Sequence, residues 1–403
     1  MDKYSILKKY FGYDQFRPIQ EKAINSVLEG NDTIVLLATG GGKSIIFQVP
    51  ALLLDGITIV VTPLISLMVD QVRNLRERGI AAEYINSNIE DFELNNVYNK
   101  IQGNAIKILY VSAERLQNPR FIEAVSNIEC PILCLDESHS IESRIGFRPA
   151  YGKIDQFITK LKKRPILLAV TATASEETVE DLKFVCKMNN PNIFKSSFDR
   201  PNLYYGVEHT LNKLMYLEKY LNDNNNQGII YCSTRREVEK LYNILYEKEY
   251  SVTYYHGGME SEDKKQNQDE FSNQEKRIMI STISFGLGID IPNIRFVIVY
   301  DIPSSIEDLV QMMGRCSRDG KYGEGIVLYD KADIKTNMHY IYQLEQGDLT
   351  TKTYLNEKIK RKNKVYEVIK YCKSKKCLHN EILKYFKEIK TTKCMKCSNC
   401  LKK

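Results

Sequence analysis

Two segments of this 403-residue chain combine residue types that could do phosphate chemistry. The first is Thr39-Gly40-Gly41-Gly42-Lys43-Ser44, which follows the apolar run 33–37 and precedes a helical stretch. Glycines let backbone N–H groups close around phosphate oxygens, and a helix N-terminus adds a favourable dipole. In that setting Lys43 would reach the β- and γ-phosphates of a triphosphate and Ser44 would hold Mg²⁺. The second is Asp136-Glu137-Ser138-His139, where a buried-looking strand ends at Leu135. An acid at the C-terminal end of such a strand can hold Mg²⁺, directly or through water, and a neighbouring glutamate can polarise the attacking water. Either segment alone could be an ordinary turn. Together, in this order, they predict phosphoanhydride hydrolysis.

A third cluster has a different chemistry. Five of the ten cysteines crowd the end of the chain, and Cys377, Cys394, Cys397 and Cys400 are spaced C-x16-C-x2-C-x2-C. Two x2 turns let three thiolates converge while the long arm brings in the fourth, and four soft thiolates favour a closed, structural Zn²⁺ site. Cys372 is the alternative first ligand. A disulfide framework does not fit a chain without a secretion signal.

The bulk composition agrees with a globular protein: 43% apolar, 27% charged, 26 Tyr, 14 Phe and no Trp. No apolar run reaches the length of a membrane helix, and Met1-Asp2-Lys3-Tyr4 does not open a signal peptide, so the expectation is a soluble intracellular protein with no membrane association. Nucleus or cytoplasm is left open by the lack of a targeting signal. The net charge of +6 is uneven: residues 331–403 carry 19 basic and 7 acidic side chains, the first 330 carry 38 and 44. A basic tail on a mildly acidic body suits a polyanion partner, with a solvated lysine-rich surface as the alternative.

These residues need a scaffold that delivers strand ends. Apolar runs at 33–37, 57–61, 106–111, 132–135 and 166–170 alternate with helical stretches such as 63–78 and 176–187. Continuous Val/Ile/Leu runs suit parallel strands covered on both faces. The pattern restarts at 228–232, 251–255, 277–281, 296–300 and 325–329, with 222–227 a polar loop. This predicts an α/β chain with two doubly wound parallel sheets, a junction near 190–201, and helices with the cysteine cluster after about 330. The domain ranges expected are 1–195, 196–335 and 336–403.

With these residues in place, the chain resembles the RecQ family of superfamily 2 DNA helicases from about Phe11 to Cys400. The general phosphate-loop pattern fails at Leu37, where a glycine is expected, and the T-G-x-G-K-S form is instead similar to that of superfamily 2. The resemblance implies two tandem RecA-like domains plus a small helical zinc-binding subdomain. The stretch from Phe11 to Gln20 resembles the adenine-recognition motif, so Tyr13 would stack on the base, Gln20 would bond its edge and Arg17 would support the pocket. Thr62-Pro63-Leu64-Ile65-Ser66-Leu67-Met68-Val69-Asp70-Gln71-Val72 resembles a DNA-backbone motif, and Val170-Thr171-Ala172-Thr173-Ala174 the motif linking hydrolysis to strand contact. Ser197-Phe198-Asp199-Arg200-Pro201-Asn202 resembles the inter-domain signature, and Tyr255-His256-Gly257-Gly258-Met259 also has a counterpart. Phe285-Gly286-Leu287-Gly288-Ile289-Asp290 resembles motif V, which implies nucleotide contact by Gly288 and Asp290. The run Gln311-Met312-Met313-Gly314-Arg315-Cys316-Ser317-Arg318 resembles motif VI, which implies Gln311 at the nucleotide, Arg318 as arginine finger and Arg315 near the γ-phosphate. A finger supplied by the second domain would make hydrolysis wait for domain closure.

Four departures stand out. Residues 140–149, an aromatic-rich strand-sensing loop in the family, keep only Phe147 as an aromatic and look one residue short. Cys316-Ser317 stands where the family usually has Ala-Gly, and Ser112-Ala113-Glu114 has alanine in place of a usual proline. The chain ends three residues after Cys400, so the winged-helix and further C-terminal domains of many members are not expected. The resemblance implies an ATP- and Mg²⁺-dependent 3′→5′ helicase on single-stranded and tailed duplex DNA, in repair, recombination or replication. It would be a monomer that unwinds poorly unless a protein partner supplies duplex grip. A DNA-stimulated translocase and a DNA-binding scaffold with a decayed ATPase are the alternatives, and intact Lys43, Asp136, Glu137 and Arg318 argue against decay.

Overall fold

The computed structural model describes all residues except 38–39, 64, 87–88, 139–152, 173–175, 286–290, 345, 347–349 and 403. The chain divides into two units, Met1–Ser196 and Ser197–Lys403.

Among the described residues, the first unit is built on seven strands: β1 (Thr33–Leu36), β2 (Thr58–Val61), β3 (Ala82–Ile85), β4 (Ile108–Val111), β5 (Ile132–Asp136), β6 (Ile166–Thr171) and β7 (Asn192–Lys195). They form one sheet in the order β3-β4-β2-β5-β6-β1-β7. Every pairing is parallel, with Val35 opposite Val170 and Asp136 also opposite Val170 across β6. Alternate side chains enter two separate cores. Ile34, Ile59, Leu109, Leu133 and Leu167 face one side, while Val35, Val60, Tyr110, Cys134 and Leu168 face the other. Burial on both faces is why these strands read as unbroken apolar runs.

The second unit repeats the plan. β8 (Leu203–His209), β9 (Gly228–Tyr231), β10 (Val252–Tyr255), β11 (Ile278–Ser281), β12 (Phe296–Val299) and β13 (Gly323–Tyr329) form a sheet in the order β10-β11-β9-β12-β13-β8. All of its pairings are parallel. One face is covered by Leu217, Leu221, Val238, Leu241 and Leu245. The other face shares its core with the end of the chain. Val365, Val368, Cys372, Leu378, Ile382, Leu383 and Phe386 are buried together with Tyr205, Val207, Val297 and Val327. The cysteine-bearing helices are therefore part of this sheet's lining.

The segment just after the helix Leu378–Tyr385 pins the start of the unit. The Phe198 ring stacks on Phe386 with centroids 3.8 Å apart. Glu388 accepts from Ser197 Oγ at 2.6 Å and from the Phe198 N–H at 3.0 Å. Lys390 pairs with Asp199 at 2.6 Å. Both halves are thus doubly wound parallel sheets, as the run-and-helix alternation implied.

Candidate nucleotide and metal sites

In the first unit, β1 hands the chain to Gly40 and Gly42, both at positive φ (77° and 75°), and the helix Lys43–Leu53 begins at once. Glycine is required at position 42 for two reasons. A Cβ there would lie 2.3 Å from Gln20 Nε2, and the left-handed backbone strains any other residue. Gln20 is buried and its amide donates to the carbonyls of Gly41 and Gly42, each at 3.1 Å. Arg17 Nη1 donates to the Gly40 carbonyl at 2.8 Å. The carbonyls of the turn are thereby drawn toward the helix Pro18–Leu28, where Gln20 Oε1 also accepts from the Arg17 N–H at 2.9 Å. Gln20, expected to bond the base edge, and Arg17, expected to support that pocket, lie against the glycine turn. Tyr13, expected to stack on the base, is 57% exposed.

Lys43 Nζ sits 2.7 Å from Glu137 Oε1, with both side chains largely buried. Asp136 ends β5 with only 7% of its surface exposed and accepts from the Glu137 N–H at 2.9 Å. Burial, reinforced by the negative charge of Glu137 and partly offset by Lys43, holds the Asp136 carboxyl well above its usual range. A buried acid whose ionised form is disfavoured is a good place for a divalent cation, which would restore the charge balance. Glu137 itself is in the left-handed region at φ 48°. A non-glycine residue there costs about 1–3 kcal/mol and is typical of functional sites. The turn, the cation and the two carboxylates fit a Mg²⁺-nucleoside triphosphate, with Ser44 one residue into the helix. Thr39 lies outside the described residues.

In the second unit, the helix Ile306–Met313 carries Gln311 and leads into Arg315, both buried. Gln311 Nε2 has no hydrogen-bond partner among the described residues, a vacancy a polar ligand could fill. Arg318 is partly exposed three residues later. Gly288 and Asp290, the motif V residues, lie outside the described residues, as do His139, Thr173, Ala174 and the whole of 140–149.

The ligand atoms of Cys377, Cys394, Cys397 and Cys400 all lie within 4.8 Å of one another. Thiolates bound at ~2.3 Å to a tetrahedral zinc would sit about 3.8 Å apart, and Cys394 Sγ to Cys400 Sγ is 3.9 Å. Backbone N–H groups point at the sulfurs: Leu378 to Cys397 at 3.4 Å, Cys394 to Cys377 at 3.4 Å, and Cys397 to Cys394 at 3.3 Å. Such donors stabilise thiolates, so the donor set fits Zn²⁺. Cys372, the alternative ligand, is not in the group. Its thiol is buried in the apolar core and pushed up to about 12 by that burial.

Three families of known proteins match consecutive stretches of the chain. They are described as DEAD/DEAH box helicase over residues 17–182, helicase conserved C-terminal domain over 211–320, and RecQ zinc-binding over 331–401. The ATP-dependent DNA helicase RecQ of Bacillus subtilis (strain 168) is 38% identical over 401 residues, 98% of this chain and 66% of that protein. The probable ATP-dependent DNA helicase RecS of the same organism is 36% identical over 345 residues, 84% of this chain and 69% of that protein. The chain belongs to the RecQ family of helicases. It spans slightly less than two thirds of the Bacillus RecQ relative. Among solved structures, Saccharomyces cerevisiae Dbp5 bound to RNA and ADP BeF3 superposes with a TM-score of 0.69 at 19% identity, covering 91% of this chain and 97% of that one. At that identity the likeness speaks for the fold.

In this RecQ-family chain, the residues that hold the two loops in place are distant from them in sequence. The Arg17 and Gln20 bonds to the glycine turn span 21 to 23 residues. The Arg200 and Asn202 bonds to the loop of Arg315 and Arg318 span 115 to 119. Both sets lie inside stretches that matched family motifs, which was the one available signal.

Proposed function

We propose that this chain couples ATP hydrolysis to 3′→5′ movement along single-stranded DNA and to unwinding of tailed duplexes. The observation that carries the reading is the Lys43–Glu137 pair beside buried Asp136 at the mouth of the Gly40–Gly42 turn. Ser44 and Asp136 would hold Mg²⁺, which would supply positive charge against the phosphate oxygens. Lys43 and the N–H groups of the turn bind the phosphates. Ser44 and Asp136 orient the metal, Glu137 takes the proton of the attacking water, and Arg315 and Arg318 neutralise charge on the transferring phosphoryl. Tyr13 would stack on adenine, and Gln20 would bond its edge by exchanging a bond now made to the glycine turn. DNA as the track is supported by the printed names of the relatives and by the basic balance of residues 331–403.

The test is ATP hydrolysis with and without single-stranded DNA, followed by strand displacement on 3′- and 5′-tailed duplexes. DNA-stimulated hydrolysis with displacement only from the 3′ tail is expected. No hydrolysis under either condition would sink the reading. A second reading, translocation with little unwinding, is favoured by the single aromatic, Phe147, in residues 140–149. Stimulated hydrolysis without displacement would select it, and recovery of displacement with an added duplex-binding protein would support a partner that supplies grip. A role in repair, recombination or replication follows from the same reading.

A further inference from the structure

Between Arg315 and Arg318 lie Cys316 and Ser317, both fully buried. Ser317 adopts φ 50°, the left-handed conformation, which costs a non-glycine residue about 1–3 kcal/mol. This reversal sets the relative direction in which the two arginines leave the backbone. A backbone strained at that point needs outside support, and three side chains from other elements give it.

Arg200 Nη2 donates to the carbonyls of Cys316 at 3.0 Å and Ser317 at 3.1 Å. Asn202 Nδ2 donates to the Ser317 carbonyl at 3.0 Å and the Lys321 carbonyl at 2.8 Å. From the turn before β12, Arg295 Nη1 donates to Ser317 Oγ at 3.1 Å and to Asp319 Oδ1 at 2.9 Å, and its Nη2 bonds Asp319 Oδ2. Ser317 Oγ also lies 3.0 Å from the Tyr322 carbonyl, so its hydroxyl can donate there while accepting from Arg295. Gly323 completes the cradle, since a Cβ there would fall 2.2 Å from Ser317 Oγ and 2.5 Å from Cys316 Sγ.

Arg200 is the informative member. Burial depresses its guanidinium, and among the described residues its hydrogen-bond acceptors are two carbonyls and the Asn202 amide oxygen. A half-buried cation with no carboxylate partner among the described residues, beside the like charge of Arg318, is costly unless its placement serves something. What it serves is the backbone between the two arginines.

We propose that Arg200, Asn202 and Arg295 are positioning residues that set the aim of Arg315 and Arg318 without touching the nucleotide, and that the hydroxyl of Ser317 ties this chain's variant loop to Arg295. The inference rests on the reading of Arg315 and Arg318 as phosphate-neutralising groups. Lysine at position 200 keeps the charge but loses the Nε–H bond to Asn202 Oδ1 and the rigid plane that aims Nη2 at the two carbonyls.

The experiment is steady-state ATPase with saturating single-stranded DNA on the full chain carrying Arg200→Lys, Arg295→Gln, Arg318→Ala or the double Arg200→Lys/Arg318→Ala, with Tm measured in parallel. Arg200→Lys should lower kcat about tenfold or more while KM for ATP stays within about twofold. In the double variant it should add less than about twofold to the loss caused by Arg318→Ala, because residues acting through one another are not additive. Should Arg200→Lys fail to fold, Arg295→Gln is held to the same kcat and KM criterion. Wild-type kcat in both brace variants, or a fully multiplicative loss in the double variant, would overturn the brace. Normal turnover by Arg318→Ala would instead show that the underlying reading of the arginines is wrong, and the brace falls with it.

Discussion

Lys43 Nζ and Glu137 Oε1 stand 2.7 Å apart across 94 residues of sequence. The cation assigned to the phosphates and the carboxylate assigned to the attacking water neutralise each other. A triphosphate competing for Lys43 would therefore release Glu137 toward the water. Charging the base is coupled to seating the substrate.

The first prediction follows from that pair. Lys43→Ala should lower ATP turnover by at least about 10²-fold, the scale of losing a charge-stabilising group from phosphoryl transfer. It also removes the cation beside a mostly buried carboxylate, so thermal stability should fall by about 1–3 kcal/mol. Adding Glu137→Gln should recover much of that stability and none of the turnover. Hydrolysis assays and thermal melts check both parts, and retained turnover would disprove the assignment of Lys43.

Asp136 supplies a prediction with a pH sign. Its carboxyl is held up chiefly by burial and next by Glu137. A carboxyl raised above its unfolded value stabilises the fold while protonated, fully so below about pH 4, and that contribution is lost as pH rises through the folded value. At neutral pH the ionised group is a net cost to stability in metal-free buffer. Asp136→Asn should thus abolish hydrolysis yet raise the metal-free Tm at pH 7, with the gain shrinking toward pH 4. Each 1 kcal/mol recovered reads as ~2–4 °C in a unit of this size. A lowered Tm at pH 7 would contradict the burial argument.

How far this was visible beforehand depends on where each element sits. β1, β2, β4, β5 and β6, covered on both faces, appear as apolar runs and were legible. β3 and β7 were not, because they are the sheet's edges. β3 carries Glu83, bonded by Arg76 and Lys100, and most of β7 is exposed. β8 was hidden by Gly206 and Glu208 within it. The segments holding Lys43, Asp136 and Glu137 and the close triplet Cys394, Cys397 and Cys400 stand out within a few residues, whereas Cys377 had Cys372 as a rival until the sulfurs were seen to converge. The bond from Gln20 to the Gly42 carbonyl and the cradle around Ser317 could not be read, since they exist only once distant segments meet.

The zinc site yields a third prediction. The protein should carry about one zinc per chain, and Cys397→Ser should lose it, because Cys397 is fully buried and central to the cluster. Cys372→Ser should keep it. Because the cysteine helices share a core with β8, β12 and β13, chelation should lower the melting temperature of the second unit rather than merely loosen its end. Metal analysis with thermal melts tests this, and a metal-free protein of full stability would refute the site.

A fourth prediction concerns the basic end. If residues 331–403 grip DNA phosphates, log affinity should fall linearly with log salt, with a slope of roughly −0.7 per phosphate contacted on a single strand. Anisotropy titrations at several salt concentrations measure that slope, and replacing exposed Lys352 and Lys373 with glutamate should flatten it. A slope near zero in the unaltered protein would remove this surface from the binding reading.

The stacking of Phe198 on Phe386 carries a practical consequence for dissecting or recombining such proteins. A cut after the last strand of the second sheet would look natural on paper, since the strands end at Tyr329. It would strip the sheet of its apolar lining and orphan the residues that open the unit. The portable module instead starts at Ser197 and takes the four clustered cysteines with it. Chimaeras joined at that seam should fold, whereas transplants of the cysteine helices alone should aggregate.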